Sequence, residues 1–553
     1  MLRVAAVQYA VGEDVEANLV TALRMVDRAV AEGAQVVVLP EFGNHVSWYA
    51  DRAHARRLAQ TLDSPFVAAL AAKAAEHRIH LMANCTLVRE DGRVGGTNLL
   101  FDPDGVLLGV SDKQVLMGSE RDHLDPAVDR LGALDTAIGR VGLYSCMDGV
   151  IFETPRMLAV EGAQLLLNSL NSFALDEASL HVPVRAVENK VWVVAANKVG
   201  PLVPEHSIAA VAERVGVPVD RLHGAGESQI VAPDGTVVAI GPRTGEAVVV
   251  ADIDLCLADD KTRPDGTDVM AARRPEIYGP IAEGPRGRQA GAGAAELVAA
   301  VLSPGGEDDV VSLIAEAVAG GADLVVLPEL AAHADGIASA SADPRLQPDA
   351  LRTLLAGSDA VVVTSVVEDG AQVGIVLGAD GVLLRQPQLH ASVRHPGLSI
   401  PSAAQCSIQV HAAPWGRLAV VVGDDALYPE TFRLAALADA DVVAVPFSTA
   451  EAHDTDLLLL ERAAENRINL AVASRPHPVA GAGALVPLDG DFTLWGAWEN
   501  PFSGVISRPQ LLRAEDALLT GVLRPACATN RFVSRGTDVV DGRPWALAKV
   551  LTV

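Results

Sequence analysis

Apolar and polar positions in the first half of the chain alternate between two kinds of block. Short apolar runs such as RVAAVQYA (Arg3 to Ala10), QVVVLPE (Gln35 to Glu41), HLMANCTLV (His80 to Val88), RVGLYS (Arg140 to Ser145), QLLLNS (Gln164 to Ser169) and VWVVAANK (Val191 to Lys198) predict buried strands. Longer stretches with helical spacing lie among them: VEANLVTALRMVDRAVAEG, closing on Gly33, and SPFVAALAAKAAEHR. TNLLFDPDGVLLGVSDK (Thr97 to Lys113) reads as a hairpin. Strands alternating with helices, some joined as hairpins, predict layered α/β domains with mixed sheets.

The pattern then repeats. AQVVVLPEF (Ala34 to Phe42) returns as ADLVVLPEL (Ala322 to Leu330), and RAVENKVWVVAANK from Arg185 returns as RAAENRINLAVASR from Arg462. DGVLL occurs at Asp104 and Asp380, GTDV at Gly266 and Gly536, and GRVGLYSCMDGVIFETPR from Gly139 is echoed by GRLAVVVGDDALYPETFR from Gly416. The offset holds at 277 residues from the Gly-Arg pair through the Arg-x-x-Glu-Asn segment, which predicts a tandem duplication. The expected division is one domain over 1–280, a Gly- and Ala-rich linker over 281–293 and a second domain over 294–553.

Composition sharpens this picture. The 553 residues are half hydrophobic and carry a formal charge of −27, an ordinary globular balance that disfavours binding to nucleic acid or anionic lipid. No apolar run is long enough to span a membrane and the start lacks signal-peptide features, so a cytoplasmic protein is expected. The five cysteines are scattered without a C-x-x-C pair, which argues against a disulfide framework or a Cys-rich metal site.

Three reactive residues close apolar runs in the first half: Glu41, Lys113 and Cys146. The carboxyl ends of strands form the common binding edge of layered α/β folds, so these residues are placed to converge. A thiolate is a good nucleophile that needs a base or a nearby positive charge, a desolvated Glu41 can act as that base, and Lys113 can stabilise an oxyanion. Together they describe acyl transfer through a thioester.

VVLPEF, SDKQVLMGSE and YSCMDG, in this order, resemble the nitrilase superfamily of carbon-nitrogen hydrolases across essentially all of residues 1–280. The resemblance implies a four-layer αββα sandwich in each half, a cofactor-free and metal-free mechanism, and a second glutamate, Glu120, holding the lysine. It also implies that the Met147 amide helps at the oxyanion and that His45, Trp48, Tyr49, Asn171 and Phe173 form the pocket. Cys-Met-Asp is closer to the amidase and carbamoylase branches than to true nitrilases, so the expected substrate is a small amide or carbamoyl compound. Nitrile hydrolysis and N-acyl transfer remain alternatives, as does a non-enzymatic scaffold.

In the second half, Cys146 is answered by Gly423, and counting from DGVLL places Leu389 opposite Lys113. Only Glu329 of the triad remains, which implies a degenerate, catalytically silent domain. Such a half serves as a tethered partner in an intramolecular pseudo-dimer, at an effective concentration of roughly millimolar or higher. Further homo-oligomerisation is left open by this reading, as is ligand binding by the second half.

Overall fold

Side chains along a strand point alternately to opposite faces, and that alternation builds the layers. In the computed structural model, which describes residues 1–306, 308–333 and 342–553, Ala5 and Val7 of β1 (Leu2–Gln8) pack among helices Val15–Ala31 and Pro65–His77. Val4 and Ala6 face the other way, into a second sheet. β2 (Val36–Val38) divides likewise, with Val37 toward the helices and Val36 and Val38 toward the sheet. Such strands must be apolar on both faces, as their sequences are.

The first half continues with β3 (His80–Val88), β4 (Val94–Phe101), β5 (Leu107–Asp112), β6 (Leu134–Thr136), β7 (Gly139–Ser145), β8 (Leu165–Ser169) and β9 (Trp192–Ala196). After these come β10 (Val199–Pro201), β11 (His223–Ala225), β12 (Gln229–Val231), β13 (Val237–Ile240) and β14 (Ala247–Ile253). One six-stranded sheet has the order β14-β1-β2-β3-β4-β5 and the other β13-β12-β9-β8-β7-β6, while β10 and β11 form a ribbon. Strands β1, β2 and β3 are parallel, as are β7, β8 and β9, so their carboxyl ends share one edge. β5, two antiparallel steps from β3, ends on the same side.

The second half contains β15 (Leu297–Leu302), β16 (Leu324–Val326), β17 (Val361–Glu368), β18 (Ala371–Gly378), β19 (Gly381–Pro387), β20 (Val410–Ala413) and β21 (Gly416–Val420). It is completed by β22 (Val442–Pro446), β23 (Asn469–Ala473), β24 (Ala484–Val486), β25 (Leu512–Arg513), β26 (Leu518–Leu523), β27 (Phe532–Ser534) and β28 (Thr537–Asp538). Its sheets, β19-β18-β17-β16-β15-β26 and β20-β21-β22-β23-β24-β25, repeat the first pair strand for strand. Among the described residues no helix is long and apolar enough to cross a membrane.

The halves meet through helices that the repeat places opposite one another. Arg156 Nε lies 2.9 Å from Glu430 Oε1, and Arg433 Nε lies 2.8 Å from Glu153 Oε1. Arg185 Nη2 lies 2.8 Å from Glu465 Oε2, and Arg462 pairs in turn with Glu188. Each residue stands 277 positions from its counterpart, so the seam has the reciprocal contacts of a two-fold interface within one chain. Apolar packing fills in around it: Met147, Val150 and Leu180 join Phe432, Leu459 and Ala463 in one core.

The segment read as a linker is tied down along its length. Ile281 is fully buried, and its carbonyl accepts from Arg543 Nε at 2.8 Å. Further on, Arg288 Nη2 bonds Asp441 Oδ1 at 2.5 Å, while the amides of Gln289 and Ala290 donate to Asp439. Gly and Ala content signals flexibility only where no carboxylate waits to accept the backbone amides.

Removing one partner from a buried ion pair leaves the other charge uncompensated. Arg185→Ala is therefore expected to destabilise the fold by about 3–5 kcal/mol, seen as a clear fall in melting temperature by calorimetry. An unchanged melting temperature would show that the seam does not depend on these pairs.

Candidate active site

Three strand ends deliver the reactive side chains. Glu41 follows β2, and its amide donates to Leu170 O beyond β8 at 3.2 Å. The next residue, Phe42, has φ 51°, a left-handed conformation unusual for a bulky residue and held here by a 2.8 Å bond from its amide to Asn84 Oδ1. Lys113 follows β5, and its amide bonds Gly96 O at 2.8 Å. Gly96 has to be glycine, because a Cβ there would sit 2.9 Å from the Phe42 ring.

Lys113 Nζ lies 2.9 Å from Glu41 Oε1 and 2.9 Å from Glu120 Oε1, with Lys113 and Glu41 fully buried. Glu120 is fixed in turn by accepting from the Met117 amide at 2.8 Å. Burial opposes the charge on Lys113, but Glu120 and Glu41 outweigh it and hold the ammonium well above its ordinary pKa. Burial pushes Glu41 up to about 7 against the pull of Lys113.

Cys146 ends β7 at φ 47° and ψ −112°, a strained elbow that turns directly into helix Met147–Val150. Its amide bonds Ser169 O at 3.1 Å and Asn168 Oδ1 at 3.2 Å, fixing the turn to the end of β8. Burial raises the thiol well above its usual range, and Lys113 works in the opposite direction. Met147 opens the helix, where the first amides have no acceptor within the helix itself.

Two neighbours stand beyond the residues picked out as site candidates. Asp148 Oδ1 accepts from the amides of Gln114 at 3.0 Å and Val115 at 2.8 Å, which clamps the lysine loop to the cysteine elbow. Burial lifts Asp148 to about 7. Lys198 is buried beside Phe42, its Nζ 5.8 Å from the ring centre and without a hydrogen-bond partner among the described residues. Burial lowers it to about 7, opposed by Glu41. A lysine two residues beyond the apolar strand β9 was the available sequence signal.

Above this cluster lies a cavity of about 570 Å³ lined by residues of both halves. Cys146, Met147, Glu120, Trp48, Tyr49, Asn171 and Phe173 all line it. Asn171 Nδ2 is held by Ser47 Oγ at 2.8 Å, and Tyr49 Oη shares a hydrogen bond with Thr86 Oγ1 at 2.5 Å. His45 departs from the sequence expectation. It stacks behind Tyr49 at 5.4 Å with Nδ1 turned 2.7 Å from Val46 O, so it supports the wall without forming it.

The second half supplies Leu494, Trp495, Ile506, Ser507, Val533 and Arg535 to the same cavity. Thr537 braces the loop between Lys113 and Glu120, its Oγ1 donating to Leu116 O at 2.9 Å and accepting from the Gly118 amide at 2.9 Å. Residues so distant in sequence carry no local signal of this role. Among the described residues no cluster of three or more His, Cys, Asp or Glu side chains is arranged to hold a metal ion.

The corresponding place in the second half is closed. Asp425 accepts from the amides of Leu389 and His390 as Asp148 does from Gln114 and Val115. This register puts Gln388 opposite Lys113, not the Leu389 that counting from DGVLL indicates, because the hairpin turn between β18 and β19 is one residue shorter than that between β4 and β5. The lysine is absent either way. Arg394 bridges Glu329, at 2.8 Å, and Asp424. A Cβ on Gly423 would lie 2.4 Å from Glu329 Oε1, which leaves no room for a nucleophile.

Residues 3–261 match the carbon-nitrogen hydrolase family. Among curated relatives, a nitrilase of Pyrococcus abyssi is 28% identical over 262 residues, covering 47% of this chain and 92% of that protein. The omega-amidase NIT2 of Bos taurus is 29% identical over 269 residues, covering 46% and 88%. Among solved structures, the NitN amidase from Neterenkonia sp. AN1 aligns over 50% of this chain and 98% of its own at 23% identity and a TM-score of 0.40.

Thr537→Val keeps the shape of the brace but leaves Leu116 O and the Gly118 amide without their partner. The loop is expected to lose about 1–3 kcal/mol of local stability, read as faster amide exchange over residues 114–120 by mass spectrometry. Unaltered exchange there would show that the second half does not hold this loop.

Proposed function

Residues 3–261 belong to the nitrilase superfamily of carbon-nitrogen hydrolases, and from that premise we propose that this chain hydrolyses a non-peptide amide or carbamoyl bond through a thioester on Cys146. The observation that carries the reading is that Cys146 and Glu120 line one cavity, with Glu120 sharing the buried Lys113 ammonium with Glu41.

In the proposed reaction Glu41 takes the thiol proton as Sγ attacks the carbonyl carbon. Negative charge develops on the carbonyl oxygen and is met by Lys113 Nζ and the Met147 amide, donors positioned before the reaction begins. Glu41 returns the proton to the departing nitrogen, which leaves as ammonia or an amine. It then takes a proton from water, whose oxygen attacks the thioester, and the acid departs as the thiol is restored. Asp148 and Thr537 position the lysine loop without touching the reacting atoms. The second half acts as a built-in partner, since Gly423 and Gln388 offer neither nucleophile nor cation.

Purified protein is expected to release ammonia from members of a panel of aliphatic amides and carbamoyl compounds, with nitriles as the contrast, and Cys146→Ala is expected to release none. Because Glu41 acts as carboxylate and burial holds it near 7, kcat/KM should rise with pH through about 7 and fall away below it. Glu41→Gln should reduce turnover by about 10²–10⁴-fold. Release only from nitriles, or undiminished release by Cys146→Ala, would overturn the amide reading.

A further inference from the structure

One buried carboxyl group on the cavity wall has no ion-pair partner among the described residues, only Ser172 as a hydrogen-bonding neighbour. Glu177 begins the helical turn Glu177–His181, lines the cavity, is 5% exposed, and forms no ion pair among the described residues. The nearby cation, His181, is already engaged, with Nδ1 3.0 Å from Glu461 Oε2 and Nε2 3.7 Å from Asp176 Oδ2. Burial opposes the charge on His181, but Glu461 and Asp176 keep it well above the ordinary histidine range. Arg185 and Arg462 are likewise taken by Glu188, Glu461 and Glu465. The carboxylates gathered here, Asp176, Glu177, Glu188, Glu461 and Glu465, outnumber the cations His181, Arg185 and Arg462, and burial pushes the Glu177 carboxyl up to about 7.

The second half shows the same position with its charge answered. Asp454, 277 residues after Glu177, begins the matching turn Asp454–Leu459 and binds Arg263 Nη2 of the first half at 2.9 and 3.1 Å. The bridge between Thr262 and Asp268 is repeated by that between Phe532 and Asp538, so the residue standing where Arg263 stands is Val533. Val533 lines the cavity of the first half. An arginine answers the carboxylate at this position in the second half, and a valine leaves Glu177 of the first half without the matching cation.

The remaining walls are largely apolar or already paired. Phe173 packs against Trp495 with ring centres 5.5 Å apart, and Trp495 holds φ 63° to reach across from the second half. At the mouth Arg535 is engaged by Asp122, and Arg214 stands exposed on the rim.

We propose that Glu177 recognises a positive charge on the substrate, making the substrate an amide or carbamoyl compound with an ammonium or guanidinium group at the far end of an apolar spacer. This rests on the reading of Cys146 as the hydrolytic centre. The substrate cation takes the place that Arg263 fills in the other half, while Phe173 and Trp495 pack on the spacer and face the cation with their rings. A carboxylate buried without an ion-pair partner gains most from a ligand that brings one.

The test uses the full chain with two primary amides of matched length, 6-aminohexanamide and heptanamide. The expected ratio of kcat/KM favours the ammonium-bearing amide by about tenfold or more, and falls toward one in Glu177→Gln. Equal use of both amides, or a preference that survives Glu177→Gln, overturns the proposal. Calorimetric titration of hexylammonium into Cys146→Ala decides the matter independently of turnover, so failure of hydrolysis and failure of recognition are told apart. Binding that weakens by about tenfold or more on adding Glu177→Gln, and again on adding Val533→Arg instead, supports the assignment. Binding that is absent, or indifferent to both changes, overturns it.

Discussion

The burial of one ammonium group between two carboxylates governs the organisation of this site. Lys113, Glu41 and Glu120 are withdrawn from water, and a charge so placed is tolerable only while its partners stay within hydrogen-bond distance. Their surroundings serve that requirement. The strained Phe42 turn and the glycine at 96 shape the floor, Asp148 fixes the start of the lysine loop, and Thr537 fixes its end. The same isolation raises both the carboxyl and the thiol, so the environment that makes the cluster costly also brings Glu41 to a useful pKa.

Part of that support, Thr537, comes from the other copy of the fold. The reciprocal pairs Arg156 with Glu430 and Arg433 with Glu153 show that the seam follows a two-fold plan. Once both sides lie in one chain, symmetry ceases to be a constraint on them. One site keeps lysine, cysteine and an open cavity, whereas the other has Arg394 lying across two carboxylates and a glycine where no side chain fits. The seam retained its charges because each is buried against a partner, and the sites diverged because nothing in the seam requires them to match.

Much of this was legible in the residues. Strand and helix periodicity located β1, β2, β3, β7, β8 and β9, and the 277-residue echo announced two similar halves. Glu41, Lys113 and Cys146 could be singled out because each reactive side chain ends an apolar run. Other features resisted such reading for identifiable reasons. His45 sits in the right loop but turns its ring behind Tyr49, and the linker is held by Asp439, Asp441 and Arg543 from far along the chain. The Leu389 register failed because a count along the chain cannot see a turn shortened by one residue, whereas the hydrogen bonds to Asp425 can.

The sequence by itself determined the layers, the duplication and the candidate residues for the site, since periodicity and residue type are local properties that burial and chemistry act on directly. Tertiary structure alone decided which charges are answered. Whether Glu177 faces Val533 or Asp454 faces Arg263 depends on segments hundreds of residues apart crossing the seam, and electrostatic compensation is set by distance in space, which spacing along the chain does not encode.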